Sequence, residues 1–285
     1  MDKIVNINQV TKWISALFLL LSYNIAQGEQ HCFLLESNVI SAPGCYYLKK
    51  DMQGSITISS DSVTLDLNGR KLSDPNPGSW TIGVNLENRN NITIKNGYFD
   101  GFWFAISASG GRNIHIQNNV FINTKYMAIT ASGSNVNVLN NHISYMDFYL
   151  PKDSINFYLV GLNIRDTTGC NILNNVIYAP SLPANPPKFR LEYVGLILSS
   201  SSRNCRIKNN VFSNFKLPKF KSIAVWLASD TQGSYLRDNL ILNYGYGIIG
   251  KRGSYLDKNN LSVNVTTPTW DKSLTVNNVK TNFAF

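Results

Sequence analysis

The seven residues Asn113-Ile114-His115-Ile116-Gln117-Asn118-Asn119 limit what this chain can become more than any other feature. The phrase recurs as Asn135-Val136-Asn137-Val138-Leu139-Asn140-Asn141, as Gly169-Cys170-Asn171-Ile172-Leu173-Asn174-Asn175 and as Asn204-Cys205-Arg206-Ile207-Lys208-Asn209-Asn210. Asn91-Ile92-Thr93-Ile94-Lys95-Asn96-Gly97 is an earlier variant. Tyr235-Leu236-Arg237-Asp238-Asn239 and Tyr255-Leu256-Asp257-Lys258-Asn259 are weaker, later ones. Apolar residues at every second position, closed by a polar corner, read as a short strand buried on one face and then a turn. A strand and corner repeated this way describe stacked repeats.

The corner residues Asn96, Asn118, Asn140, Asn174, Asn209, Asp238 and Lys258 set intervals of 22, 22, 34, 35, 29 and 20 residues. A coil of about 22 residues is too short for two helices and suits three short strands joined by three turns. A second strand per coil is visible in Phe104-Ala105-Ile106-Ser107, Met127-Ala128-Ile129-Thr130, Gly161-Leu162-Asn163-Ile164, Gly195-Leu196-Ile197-Leu198 and Ala224-Val225-Trp226-Leu227. Stacked coils place Ile and Val in an inward ladder, and corner Asn side chains can hydrogen-bond along the stack. Composition agrees: hydrophobic residues make up 44% and charged residues 15%, an ordered and strand-rich balance.

Residues 1–28 read as a secretory signal. Lys3 and Lys12 precede the apolar run Trp13–Leu21, and Ala26-Gln27-Gly28 supplies small residues for cleavage. An uncleaved N-terminal anchor is the alternative, although the apolar run is short for a bilayer. Without residues 1–28 the chain holds 24 cations against 16 carboxylates, a net +8. The expected partner is an acidic polysaccharide or another anionic envelope polymer, unless the charge serves solubility alone. Export and the lack of a binding motif argue against nucleic acid. No later stretch is long and apolar enough to span a membrane, and the expected location is secreted, periplasmic or cell surface. No cofactor is implied.

Cys32 and Cys45 bracket a short segment, and in an oxidising compartment they are expected to pair. Cys170 and Cys205 share the inward position held by Ile114 and Val136 in other repeats. Adjacent strands lie about 4.8 Å apart, so the two stack within disulfide reach. Two free thiols in an apolar ladder satisfy the same pattern. No cysteine spacing resembles a metal site.

Residues 29–62 are expected to cap the first coil, residues 63–265 to form the array, and residues 266–285 to cap its end. Pro43-Gly44-Cys45-Tyr46-Tyr47-Leu48, then Val63-Thr64-Leu65-Asp66-Leu67-Asn68-Gly69 and the Asn-rich coils, resemble the pectate-lyase-like superfamily. The entry segment looks like that of β-helix-repeat proteins of the periplasmic copper-accessory type. This resemblance implies an all-β, single-stranded, right-handed parallel β-helix of about 7–8 coils. It implies no single activity, because one fold carries many functions.

The three long coils carry their extra residues between the Asn-Asn strand and the next first-type strand, in loops 145–160, 180–193 and 215–223. Insertions at one corner of successive repeats gather on one face, which is often the binding face. These loops hold Tyr149, Lys152, Phe189, Arg190, Lys219 and Lys221, and Trp226 follows at an outward position. Aromatic faces stack on sugar rings, and cations pair with carboxylates or sulfates. The same residues could instead pack as a small satellite core. Phe102-Trp103-Phe104 reads as a packed corner.

Catalytic signatures are thin. The adjacent Asp pair and Gly-His-Gly of polygalacturonase-like hydrolases are missing. Arg206-Ile207-Lys208, which spells part of their basic motif, lies inside a repeat strand. Asp74-Pro75-Asn76-Pro77 lacks the His and second Asp of an alginate-epimerase-like stretch. If the protein is a polysaccharide lyase or a glycoside hydrolase, the shortlist is Asp147, Asp166, Lys188, Arg190 and Asp230. A hydrolase needs two carboxylates across a cleft, and no spacing singles out a pair. Two functions therefore stand: a secreted protein that binds an acidic polysaccharide, with processing left open, or a non-catalytic surface, adhesion or envelope-accessory protein.

Overall fold

The computed structural model describes residues 31–76, 80–144, 156–178, 190–214, 221–228, 230–250, 255–270, 275–276 and 279–281. They form a parallel β-helix with three faces and no helical segment among the described residues. The first face carries strands such as Ile82–Glu87, Phe104–Ser109, Arg190–Ser199 and Lys221–Leu227. The second carries Asn90–Lys95, Arg112–Gln117, Arg203–Lys208 and Ser234–Arg237. The third is a ten-stranded sheet running from Met52–Gln53 to Val279–Thr281, one strand per coil. Two long strands, Met127–Leu139 and Asn156–Leu173, pass through the corner between the first two faces and join them into one sheet.

The alternation in the sequence explains the packing. In Arg112–Gln117 the inward Ile114 and Ile116 are buried, and their neighbours are not. Ile92, Ile114, Val136, Cys170 and Cys205 stand in one register column. Phe99 and Phe121 stack on the third face with ring centroids 5.0 Å apart. Each fully buried Ile or Phe contributes roughly 1.5–3 kcal/mol of burial free energy. The stacking starts early: Val39–Ile40 pairs with Ile56–Ile58, and Ile56 pairs with Val84. The N-terminal coils carry no Asn-Asn phrase, so the array begins before the first such phrase.

At the corner between the second and third faces the two Asn of the phrase divide the work. The first takes the left-handed conformation, at φ +57° in Asn96, Asn118 and Asn174 and +56° in Asn209. Asn is one of the few side chains that enter this region readily. The second, not the first, forms the buried ladder: Asn119, Asn141, Asn175, Asn210, Asn239 and Asn260. Each Nδ2 donates to the next Oδ1 over 2.8–3.2 Å. Each Nδ2 also donates to a strand carbonyl, as Asn175 does to Val138 at 2.8 Å. Each Oδ1 also accepts the backbone N–H of the preceding Asn, as Asn175 Oδ1 does from Asn141 at 2.9 Å. Every polar atom of the buried amides has a partner, so their burial carries little penalty. The ladder opens at Gly97, whose N–H donates to Asn119 Oδ1. A Cβ at Gly97 would lie 2.7 Å from Leu67.

The ladder corrects one register. Lys258 is not the corner residue of its coil. Asn259 takes the left-handed turn at φ +54°, and Asn260 receives the Asn239 amide.

Both cysteine pairs are bonded: Cys32 to Cys45, and Cys170 to Cys205. The second bond joins two inward side chains in neighbouring coils, both fully buried. The free-thiol alternative for Cys170 and Cys205 is thereby removed.

Candidate functional site

Chain length per coil varies most at the corner between the third and first faces. Short connections there are 101–103 and 123–126. The strands that flank the three long loops end and begin at this corner, as His142–Ile143 and Asn156–Leu173 do. Asp147, Tyr149, Lys152, Lys188, Phe189 and Lys219 themselves lie outside the described residues. Arg190 opens a first-face strand in register with Asn156.

Lys221 is placed in detail. It opens the next first-face strand, in register with Glu192. Its Nζ lies 3.4 Å from Glu192 Oε2 and 5.9 Å from the centre of the Tyr246 ring. The Glu192 carboxylate is buried, so the pair satisfies a charge that would otherwise be costly. Trp226 stands in the outward column between Ile197 and Ile249, half-buried.

The two described acids of the shortlist stand elsewhere. Asp166 and Asp230 are exposed at the corner between the first and second faces. Asp166 takes φ +48°, and Asp230 Oδ2 accepts the N–H of Ser201 at 2.7 Å. Among the described residues, no group of three His, Cys, Asp or Glu is placed to hold a metal ion.

A second group occupies the same corner as the long loops, nearer the N-terminus. Trp80, in the connection between Lys71–Ser73 and Ile82–Glu87, is 63% exposed. Its ring stacks on buried Trp103, with centroids 4.2 Å apart and planes at 19°. Tyr126 stands edge-on to Trp80 at 5.9 Å and to Phe104 at 5.3 Å. Phe102 and Trp103 are the packed corner that the sequence indicates. Phe104 and Tyr126 remain half-buried and wall the exposed ring.

The connection bearing Trp80 is fixed from below. Lys125 Nζ lies 3.2 Å from Asp74 Oδ2, with side-chain exposures of 3% and 0%. Thr81 Oγ1 donates to the same oxygen at 2.6 Å, and Asn76 N–H donates to Asp74 Oδ1 at 2.8 Å. Asp74 N–H donates to Asp100 O, and Phe104 N–H donates to Thr81 O. An exposed tryptophan is thus held in one orientation. Its apolar face is available to a ligand at little cost in side-chain ordering.

Sequence reasoning missed Trp80, although a signal was present. The Asn68-Gly69 turn also lies between the second and third faces, with Asn68 at φ +52°. From Asn68 to Asn96 is 28 residues, so this coil too is long at the same corner.

A family model described as a right handed beta helix region matches residues 82–266. No curated protein sequence matches the chain. Among solved structures the chain is similar to PfbA, a surface protein and adhesin of Streptococcus pneumoniae. The TM-score is 0.48 at 13% identity, covering 90% of this chain and 83% of that one. It is also similar to a tailspike protein of E. coli bacteriophage HK620. There the TM-score is 0.37 at 14% identity, covering 95% of this chain and 60% of the tailspike chain.

Proposed function

The chain belongs to the right-handed β-helix family, and from that premise we propose that it is an exported protein that binds a polysaccharide along the corner between its third and first faces. One observation carries the reading. Trp80 is exposed, stacked on Trp103, walled by Tyr126 and Phe104, and anchored through the buried Asp74–Lys125 pair. A large exposed aromatic surface on a stable fold marks an interaction site. A flat ring fixed in one plane fits the apolar face of a pyranose. The strands that flank the three long loops, whose sequences are basic and aromatic, end and begin at the same corner. Two disulfides agree with an oxidising compartment, which favours a secreted, periplasmic or cell-surface location. The Pro43–Leu48 entry segment, similar to periplasmic copper-accessory β-helix proteins of the pectate-lyase-like group, points the same way.

Binding without cleavage is favoured over processing. The three described carboxylates at this corner, Asp74, Asp100 and Glu192, each have a lysine Nζ within 3.6 Å, and Asp100 also accepts the Asn123 side-chain amide. A hydrolase needs a general acid with a second carboxylate facing it across a cleft, and none of the three is free for that role. Affinity electrophoresis through gels cast with neutral and acidic polysaccharides tests the reading. Retardation by at least one polymer, lost in Trp80→Ala, is the expected result. Chain shortening of any polymer would shift the assignment to an enzyme.

A further inference from the structure

A different surface, on the second face, carries an excess of cations over carboxylates among the described residues. Consider the outward column nearest the Asn corner. It begins Asp66, Lys95, Gln117, Leu139 and Leu173 in successive coils. It continues Lys208, Arg237 and Lys258. At the N-terminal end the charges alternate, and Lys95 Nζ sits 3.3 Å from Asp66 Oδ2. At the C-terminal end three cations stand directly opposite one another on adjacent strands. Strands repeat about every 4.8 Å, and like charges in register destabilise a sheet.

Among the described residues only Arg237 of the three pairs with a carboxylate, its Nε 2.8 Å from Asp238 Oδ2. Among the described residues no ion pair joins Lys208 or Lys258 to an acid. The neighbouring outward column adds Asn171, Arg206 and Tyr235. Arg206 and the nearby Arg203 are exposed, and no acid among the described residues forms an ion pair with either. Under them lies the Cys170–Cys205 disulfide, with Cys205 inward between Arg203 and Arg206 on one strand. The cations therefore stand on a cross-linked, rigid sheet.

We propose that this strip, formed by Arg203, Arg206, Lys208, Arg237 and Lys258 with Tyr235, binds a linear acidic polysaccharide lying along the solenoid axis. A file of cations one strand apart matches a polymer with carboxylates or sulfates at regular steps. Half-buried Tyr235 stands in register with Arg206 and next to Arg237 on its strand. A membrane surface would be met better by a broad plane of cations than by a single file. The strip lies on a face other than the Trp80 corner and does not depend on that site. It rests on the proposal that the ligand is a polysaccharide, and it adds where the acidic groups bind.

The test uses the whole protein with polygalacturonate, dextran sulfate, neutral dextran and vesicles containing phosphatidylglycerol. Native protein is expected to bind at least one of the two acidic polymers, more weakly as salt rises. The triple variant Arg206→Gln, Lys208→Gln, Lys258→Gln should lose at least ten-fold in that affinity. Its melting temperature should hold or rise, because like-charge stacking is relieved. Lys208→Glu alone, placed to pair with Arg237, is a second folded variant that should also bind more weakly. Trp80→Ala should leave acidic-polymer binding at the strip unchanged, so the two sites fail separately. Native protein that binds neither acidic polymer, or variants that bind as native does, would overturn the assignment. So would tighter binding to the vesicles than to either polymer.

Discussion

Asn175 and Asn210 share one hydrogen-bonding unit between neighbouring coils. The Asn175 side-chain amide donates to Asn210 Oδ1 at 3.0 Å, and the Asn175 backbone N–H donates to the same oxygen at 2.9 Å. Asn175 Oδ1 in turn accepts both donors of Asn141. Substituting Asn175→Ala strands the Asn141 backbone N–H in the interior and takes away one of the two acceptors of the Asn141 side-chain amide. An unsatisfied buried group costs about 1–3 kcal/mol, so a loss of about 2–3 kcal/mol is expected by urea unfolding. Asn113 bonds along an exposed stack, donating to Asn91 at 2.8 Å. Asn113→Gly keeps its positive φ, and its cost should stay below about 1 kcal/mol. Equal costs at the two positions would contradict the ladder.

The two disulfides should separate under mild reduction. Cys32 is exposed, whereas Cys170 and Cys205 are 1% and 0% exposed. Thiolate attack needs access to a sulfur. Alkylation and mass spectrometry after brief reductant treatment should label Cys32 and Cys45 first. The Cys170–Cys205 bond closes a span of 35 residues, and its loss should cost about 3–4 kcal/mol in a chain-entropy account.

Tyr193 and Tyr244 face each other inside the helix, with ring centroids 6.1 Å apart. Burial pushes both phenols above their ordinary range. A phenol is neutral when protonated, so the folded state retains protons that the unfolded chain releases. Below about pH 10, the unfolded value, both states are protonated and the contribution to stability is intact. It declines as pH climbs above that value toward the raised folded value. Absorbance at the phenolate band should leave two tyrosines untitrated until the chain unfolds. Two tyrosines titrating normally in folded protein would refute the buried pair.

Lys125 and Trp80 should behave as opposites. Lys125→Ala leaves the Asp74 carboxylate buried with only the Thr81 and Asn76 donors. Breaking a buried ion pair from one side costs about 3–5 kcal/mol. Trp80→Ala removes a mostly exposed ring and one stacking contact, about 1 kcal/mol. Chemical denaturation of the two variants checks the order. A larger loss for Trp80→Ala would make that ring a structural element, not a ligand platform.

The fold was legible because its determinants repeat. Ile114, Val136 and Cys170 occupy one column, and any single copy would have been ambiguous. The repetition also revealed that Cys170 and Cys205 stack, although bonding needed the structure. The division of labour inside each Asn-Asn corner was not legible. The left-handed turn and the buried ladder use the same residue type, so sequence cannot separate Asn174 from Asn175. After Lys258 the corner is intact as Asn259-Asn260, but the matching Tyr-Leu of Tyr235 and Tyr255 invites an alignment one residue out of the true register, in which Tyr235 pairs with Leu256. Trp80 was hidden for another reason. It sits in a connection that belongs to no repeat, and its partners Trp103 and Tyr126 come from two later coils. Contact across coils is set by stacking register, which local pattern does not encode at a loop. The strip at Lys208, Arg237 and Lys258 needed the same register before its like charges could be seen to align.

The central claim is that the corner built around Trp80 binds a polysaccharide. Isothermal titration of native protein and Trp80→Ala, against the neutral polysaccharide that retards the native protein most, tests it directly. Saturable binding by the native chain and at least a ten-fold weaker affinity in the variant are expected, with an unfolding free energy within about 1 kcal/mol of the native one. Native protein that binds no polysaccharide, or a Trp80→Ala variant that binds as tightly as the native chain, would contradict it.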